Sequence, residues 1–368
     1  MILRETLLQV DLGAIRRNAQ RLRAMAGVPV MAVVKADGYG HGAAQVARAA
    51  LEGGASALAV ATVEEGLELR EQGLQAPILV LGLCAQRAFG PAVEGRLSLS
   101  LCRLEQVSAL RRAADGVSGE PVAQLKLDTG MGRIGVRTPE EAVELWQACR
   151  RAGVAVEAAF THLATADVET SEGRDYVQEQ ARRWTAMIDA LRAAGFGGRT
   201  HAAASAASIL YPSLRQDMVR EGIALYGTDI SESLGLEEAL CWKTEVVHLK
   251  TIPSGESVSY GRRFVASRPT RVATLPVGYA DGYRRALRDR ACVLVRGRRA
   301  PVIGTICMDQ ILVDVSQVPG CALGDEAVLL GRQGSERISS QEMAAWADTI
   351  NYEIMTGISK RVPRVYLP

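Results

Sequence analysis

From residue 13 to about 228, short apolar runs alternate with longer stretches whose apolar residues recur every three or four positions. The runs at 30–34, 57–61, 78–81, 97–101, 122–127, 156–161, 199–203 and 219–224 are too short for helices and read as buried strands. Between them, stretches such as Glu140–Ala152 and Tyr176–Ala194 read as helices, closed by Gly153 and Gly195. Eight strand–helix units without extra strands predict an α/β fold, a (β/α)8 TIM-type barrel in preference to an open sheet. After about residue 236 the helical period is lost until Ser340–Trp346. β-Branched segments such as Arg271–Leu275, Cys292–Val295 and Ile311–Val315 are set apart by turns at Pro253-Ser254-Gly255, Val318-Pro319-Gly320 and Gly331-Arg332-Gln333-Gly334. The expected division is a barrel over 10–235 and a C-terminal mainly-β domain over 236–368, to which residues 1–9 also belong.

Length agrees with two domains, because 368 residues exceed one ordinary core. A net charge of +2 gives no footing for nucleic acid or another polyanion. No apolar run approaches the roughly 18 residues of a membrane span, and Arg4 and Glu5 interrupt any signal-peptide core. The seven cysteines include no Cys-x-x-Cys pair and read as reduced thiols. A soluble, cytoplasmic enzyme is expected.

Candidate chemistry starts at residues 30–42. The apolar strand delivers Lys35 to its C-terminal end, followed by the loop Asp37-Gly38-Tyr39-Gly40. Ligands of parallel α/β folds bind at the C-terminal ends of strands. A lysine partly desolvated there favours its neutral amine, the form that condenses with an aldehyde. A lone lysine in such a place usually ends the strand and snorkels to water. The string around it says more: Val34-Lys35-Ala36-Asp37-Gly38-Tyr39-Gly40-His41-Gly42 resembles the pyridoxal-phosphate lysine signature of the alanine racemases.

Other segments carry the same resemblance in order. Gly130-Met131-Gly132-Arg133 follows the fifth strand and puts a permanent positive charge at the barrel mouth. The resemblance implies that Arg133 bonds the cofactor's phenolic oxygen and that Lys126 is carried as a carbamate fixing Arg133. Read without the family, Lys126 is a charge facing Asp128. Thr161-His162-Leu163 is similar to the family segment whose histidine contacts the other subunit's catalytic tyrosine. His41, His162 and His201 lie at predicted strand ends, but no carboxylate stands at ligand spacing, so no metal site is expected. His41, His201 and His248 receive no role.

Phosphate needs N–H groups and hydroxyls, and barrels commonly hold it after strands seven and eight. Ser205, Gly222, Ile223 and Tyr39 are the expected cradle. Where relatives often have asparagine, this chain has Ala204. The resemblance sets Arg220 against the cofactor's pyridine nitrogen, an arrangement that suits racemisation over transamination.

In the β domain, Ser257-Val258-Ser259-Tyr260-Gly261-Arg262-Arg263-Phe264 resembles the family's second catalytic motif, with Tyr260 as the second base. Leu275-Pro276-Val277-Gly278-Tyr279-Ala280-Asp281, Gly304-Thr305-Ile306-Cys307-Met308-Asp309 and Asn351-Tyr352-Glu353 complete the set. By resemblance Tyr279, Met308 and Tyr352 line the substrate pocket beside Arg133, and Tyr352 also borders the cofactor. Thr305 stands where many members carry arginine.

The implied protein is a homodimer with shared sites. It interconverts L- and D-alanine by two bases, Lys35 and Tyr260, through a pyridoxal-phosphate aldimine, and supplies D-alanine for peptidoglycan. A serine or broad-specificity racemase is the alternative. A barrel-fold decarboxylase lacks its Gly-Gly-Gly loop and Glu-Pro-Gly-Arg segment here, and a non-catalytic cofactor carrier would not need Tyr260.

Overall fold

The computed structural model describes residues 3–228 and 234–368. The chain divides into two compact units. One takes Ala14–Gly38 and Ala43–Glu237; the other takes the N-terminal residues to Gly13, Tyr39–Gly42 and Glu238–Pro368.

The first unit is the expected barrel. Its strands are Val30–Val33, Ala57–Val60, Ile78–Val80, Leu97–Leu101, Val122–Lys126, Ala155–Phe160, Arg199–His201 and Val219–Glu221, all parallel and in chain order around the sheet. Val30–Val33 pairs with Val219–Glu221, and an Ala204–Arg220 bridge joins the last strand to the end of the seventh. Most of these strands are buried along their length, because helices cover the barrel outside and side chains fill it inside.

Helix ends follow from local sequence. Thr62 with Glu65 and Thr138 with Glu141 form reciprocal capping boxes, and Gly153 closes Pro139–Ala152 in the left-handed conformation. The helix expected at Tyr176–Ala194 is Ser171–Ala193. It begins earlier because Thr170 caps the Gly173 N–H, in a stretch with no apolar residue to show a period.

Several strands stop short of the apolar runs. The run 199–203 yields Arg199–His201, and 219–224 yields Val219–Glu221 followed by the 3-10 turn Ile223–Tyr226. Periodicity cannot show where backbone leaves the ladder, and here it leaves at the barrel's C-terminal mouth.

The second unit is mainly β. Leu7–Asp11 pairs antiparallel with Leu240–Glu245 and parallel with Arg364–Leu367. The sheet continues through antiparallel partners to His248–Ile252, with Ile252, Val258, Ala266, Val272 and Ile303 in one core cluster. Its α-helices among the described residues, Ser340–Ala347 and Asn351–Thr356, are short. Among the described residues no helix is long and apolar enough to cross a membrane, and no cluster of side chains could hold a metal ion.

Candidate active site

Lys35 leaves the first barrel strand on a left-handed turn. Ala36, Asp37, Gly38 and Tyr39 all have φ between 52° and 59°. Non-glycine residues pay about 1–2 kcal/mol each for that conformation, so the turn needs external ties. Glu65 provides one: Oε1 accepts from Ala36 N–H at 2.7 Å while Oε2 accepts from Ala61 N–H at 2.7 Å. Asp37 provides another by accepting from Ala43 N–H at 3.0 Å. Burial, then the field of Arg133, lowers the Lys35 pKa against the opposing pull of Glu65. The lysine is thereby biased towards the free amine.

Arg220 is buried inside the barrel without a side-chain carboxylate partner among the described residues. Nη1 donates to His201 Nδ1 and to the His201 carbonyl, both at 2.9 Å. Nη2 donates to the carbonyls of Thr161 at 2.8 Å and Ala202 at 3.1 Å, and lies 3.5 Å from His162 Nδ1. Nε has no partner among the described residues. Burial lowers the Arg220 pKa to about 10, which leaves it charged at neutral pH. His201 passes the network on to Gln124 Oε1 at 2.8 Å and stacks on Phe160, the ring centroids 5.1 Å apart.

His201 and Gln124 were given no role by motif, yet they anchor Arg220. The available signal was a histidine in a barrel strand, with a buried arginine that would need neutral acceptors. His162 lies beside Arg220, its Nδ1 3.5 Å from Nη2. Burial, then Arg220, pushes its pKa down to about 3, so its ring is neutral.

Lys126 corrects one reading. No ion pair joins it to Asp128 among the described residues. Nζ donates to the Leu127 carbonyl at 2.8 Å, while Asp128 Oδ1 accepts from Gly130 and Gly132 N–H. Asp128 therefore shapes the Gly130–Gly132 loop and leaves the amine unpaired. Burial, then Arg220, lowers the Lys126 pKa to about 7. Arg133, at the end of that loop, is exposed and has no hydrogen bond or ion pair among the described residues.

Ser205 opens the short helix Ser205–Leu210, whose first turn Ala204 leaves without a side-chain cap. Its Oγ accepts from Gly222 N–H at 2.9 Å and Ala224 N–H at 3.4 Å. Two backbone donors thus converge on one oxygen, with Ile223 heading the next turn.

In the second unit, Tyr39 is buried, with its ring centroid 5.9 Å from that of Tyr352, and burial raises its phenol pKa. Tyr260 is 73% exposed, and Tyr279, Met308 and Tyr352 are exposed as well. The Tyr260 turn is fixed by Thr305, whose Oγ1 donates to the Tyr260 carbonyl at 2.8 Å. Thr305 is itself buried, so it braces the backbone of the tyrosine turn.

Tyr279 and Met308 sit on two loops in close register, with Tyr279 N–H bonded to Cys307 O and Ala280 N–H to Met308 O. Only glycine fits at 278, where a Cβ would collide with the carbonyls of Cys307 and Met308. Asp281, fully buried, accepts from both terminal nitrogens of Arg4 at 2.7 Å and from Gly278 N–H at 3.0 Å. Asp281 lies within a quoted motif but had been given no role.

Comparison with known proteins adds the family context. Residues 10–229 match the family model for the alanine racemase N-terminal domain, and 239–366 that for the C-terminal domain. The chain is 46% identical to an alanine racemase of Symbiobacterium thermophilum, over 99% of this chain and 97% of that protein. It is 43% identical to one of Halothermothrix orenii over the same shares. The crystal structure of Bacillus anthracis alanine racemase with bound L-Ala-P superposes with a TM-score of 0.93 at 36% identity, covering 100% of this chain and 96% of the other.

Proposed function

The chain belongs to the alanine racemase family and interconverts L- and D-alanine, and we propose that it does so as a homodimer using pyridoxal 5'-phosphate and two bases. The residues present fit that cofactor. Lys35 offers an amine biased towards its neutral form. Ser205 Oγ, held by the Gly222 and Ala224 N–H groups, keeps its own O–H to donate to a phosphate. Arg220 Nε, without a partner among the described residues, suits a ring nitrogen as acceptor. Tyr39, Ile223, His162, Arg133 and Tyr352 complete the proposed binding set. When bound, the cofactor supplies an electron-withdrawing ring that acidifies the substrate Cα–H.

Arg220 carries the choice of reaction. Held charged by its neutral acceptors, it donates and gives up no proton to its neighbour. A carboxylic acid in its place would make a stronger electron sink and favour transamination. With arginine, electrons stay near Cα and the proton returns there.

Lys35 takes the α-proton from the D-isomer on one face, and Tyr260 takes it from the L-isomer on the other. One base alone would return the proton to the side it left. Tyrosine starts near pKa ~10, so acting near neutrality requires about 4 kcal/mol of relative phenolate stabilisation. His162 and Arg220 supply it once the partner's tyrosine arrives. Exposure of Tyr260 supports a role across subunits. Arg133 and Met308 receive the substrate carboxylate, with Tyr279 and Tyr352 bounding its side chain. Cytoplasmic D-alanine supply for peptidoglycan is the proposed role.

The test is optical: L-alanine solution should lose its rotation without releasing gas, and Lys35→Ala should abolish the change. Gas release would indicate a decarboxylase, and unchanged rotation a non-catalytic carrier.

A further inference from the structure

Glu221 lies between Arg220 and Gly222 and is fully buried. Its Oε1 is 2.5 Å from Ser208 Oγ, and its Oε2 has no hydrogen-bond partner among the described residues. Ser208 Oγ also lies 3.0 Å from the Ser205 carbonyl. A serine hydroxyl has one proton and cannot donate to both oxygens. If Glu221 is the carboxylic acid, the count closes: Glu221 donates to Ser208, and Ser208 donates to Ser205. The bare Oε2 points the same way, because an ionised carboxylate would spread charge onto an oxygen that has no hydrogen-bond partner among the described residues.

The groups packed around Glu221 do not reverse this. Its neighbouring strand offers Val30–Val33, and the helix Ser205–Leu210 offers only the hydroxyls of Ser205 and Ser208. Hydrogen bonding from Ser208 and Ser205, then the fields of Arg220 and Arg215, favours ionisation. Arg215 is engaged by the Ser208 and Met25 carbonyls, and Arg220 by the acceptors described above. Burial outweighs them and raises the Glu221 pKa to about 7.

We propose that Glu221 is a positioning residue, held as a neutral carboxylic acid, which braces Ser205 through Ser208 and keeps the Ser205 hydroxyl free for the cofactor phosphate. This rests on the reading of Ser205, Gly222 and Ile223 as the phosphate cradle. Ionisation of Glu221 would place a negative charge beside the phosphate and give the Ser205 hydroxyl a competing acceptor. Cofactor affinity therefore falls as pH rises through the Glu221 titration.

Cofactor-free protein titrated with pyridoxal 5'-phosphate, and separately with pyridoxal, tests the proposal on both sides of pH 7. Wild-type affinity for the phosphate form should fall by up to about tenfold per pH unit above the Glu221 range, relative to Glu221→Gln. Glutamine keeps an N–H for Ser208 and cannot ionise, so E221Q should retain the wild-type affinity of the low-pH limb. Pyridoxal, lacking phosphate, should show no difference between the two proteins. The infrared spectrum of wild-type protein labelled at glutamate should contain a protonated carboxyl stretch that E221Q lacks. Parallel pH curves for the two proteins, an equal effect on pyridoxal, or absence of that stretch each overturns the proposal. If no protein binds pyridoxal 5'-phosphate at any pH, the cofactor reading fails together with it; binding with parallel curves removes Glu221 alone.

Discussion

Arg220 donates to His201 Nδ1 at 2.9 Å, and this contact fixes the tautomer of the histidine. Nδ1 must be bare, so Nε2 carries the proton and donates to Gln124 Oε1 at 2.8 Å. A second proton on either His201 or His162 would face the Arg220 guanidinium. Burial, then Arg220, holds the His201 pKa well below the ordinary histidine range and that of His162 down to about 3.

Acid stability follows from that arrangement. Unfolded histidine titrates near ~6.5, whereas both folded rings stay neutral. Below that pH the unfolded chain binds protons that the folded chain excludes, so these groups destabilise the fold as pH falls from about 6.5 towards 3. Urea unfolding midpoints should drop across that window, and the slope should shrink in His162→Gln. An unchanged slope would count against a neutral His162.

Thr305 braces Tyr260 through one hydrogen bond to its carbonyl. Thr305→Val keeps the shape and removes the donor, at a cost of about 0.5–1.5 kcal/mol in local order. Racemase kcat should fall several-fold, while Thr305→Ser, which retains the hydroxyl, should stay close to wild type. Steady-state kinetics in both directions gives the comparison.

Lys126 combines burial with a pKa of about 7, so about half its amine is neutral at pH 7 and open to carbon dioxide. Removing dissolved carbon dioxide should reduce activity reversibly, and a small carboxylate should partly rescue Lys126→Ala. Mass spectrometry under native conditions should show one added carbon dioxide per chain. An unmodified, fully active protein would retire the carbamate.

Shared sites predict complementation. Lys35→Ala and Tyr260→Phe should each be nearly inactive, but a heterodimer of the two has one site with both lesions and one with neither. Random reassociation makes about half the dimers hetero, so activity should return to roughly a quarter of wild type. No recovery despite proven subunit exchange would place both bases in one chain's site.

Substrate choice is expected to rest on Tyr352, whose ring leaves room for a methyl group and little more. Alanine should exceed serine by at least about tenfold in kcat/KM, since one small substituent supports ~1–3 kcal/mol of discrimination. Equal rates on both amino acids would show that Tyr352 does not set the limit.

The sequence by itself determined the barrel, the mainly-β unit and the motif residues. Alternation of short apolar runs with helical periods leaves few folds able to bury both, and Val34–Gly42 is a long contiguous signature. Tertiary structure decided what local pattern cannot carry. Periodicity registers burial but not where backbone leaves a ladder, so Ile223 and Ala224 read as strand although they form a turn. Motif position gave Arg220 its place, but its acceptors come from residues 19 and 59 positions away, His201 and Thr161. Lys126 and Asp128, two apart in sequence, read as a pair, whereas Asp128 is engaged by the Gly130 and Gly132 N–H groups. Nor does the order of residues reveal that Ser208 stands between Glu221 and the Ser205 carbonyl. Those contacts exist because closing the barrel brings the ends of distant strands together, and only there do buried polar groups find or lack their partners.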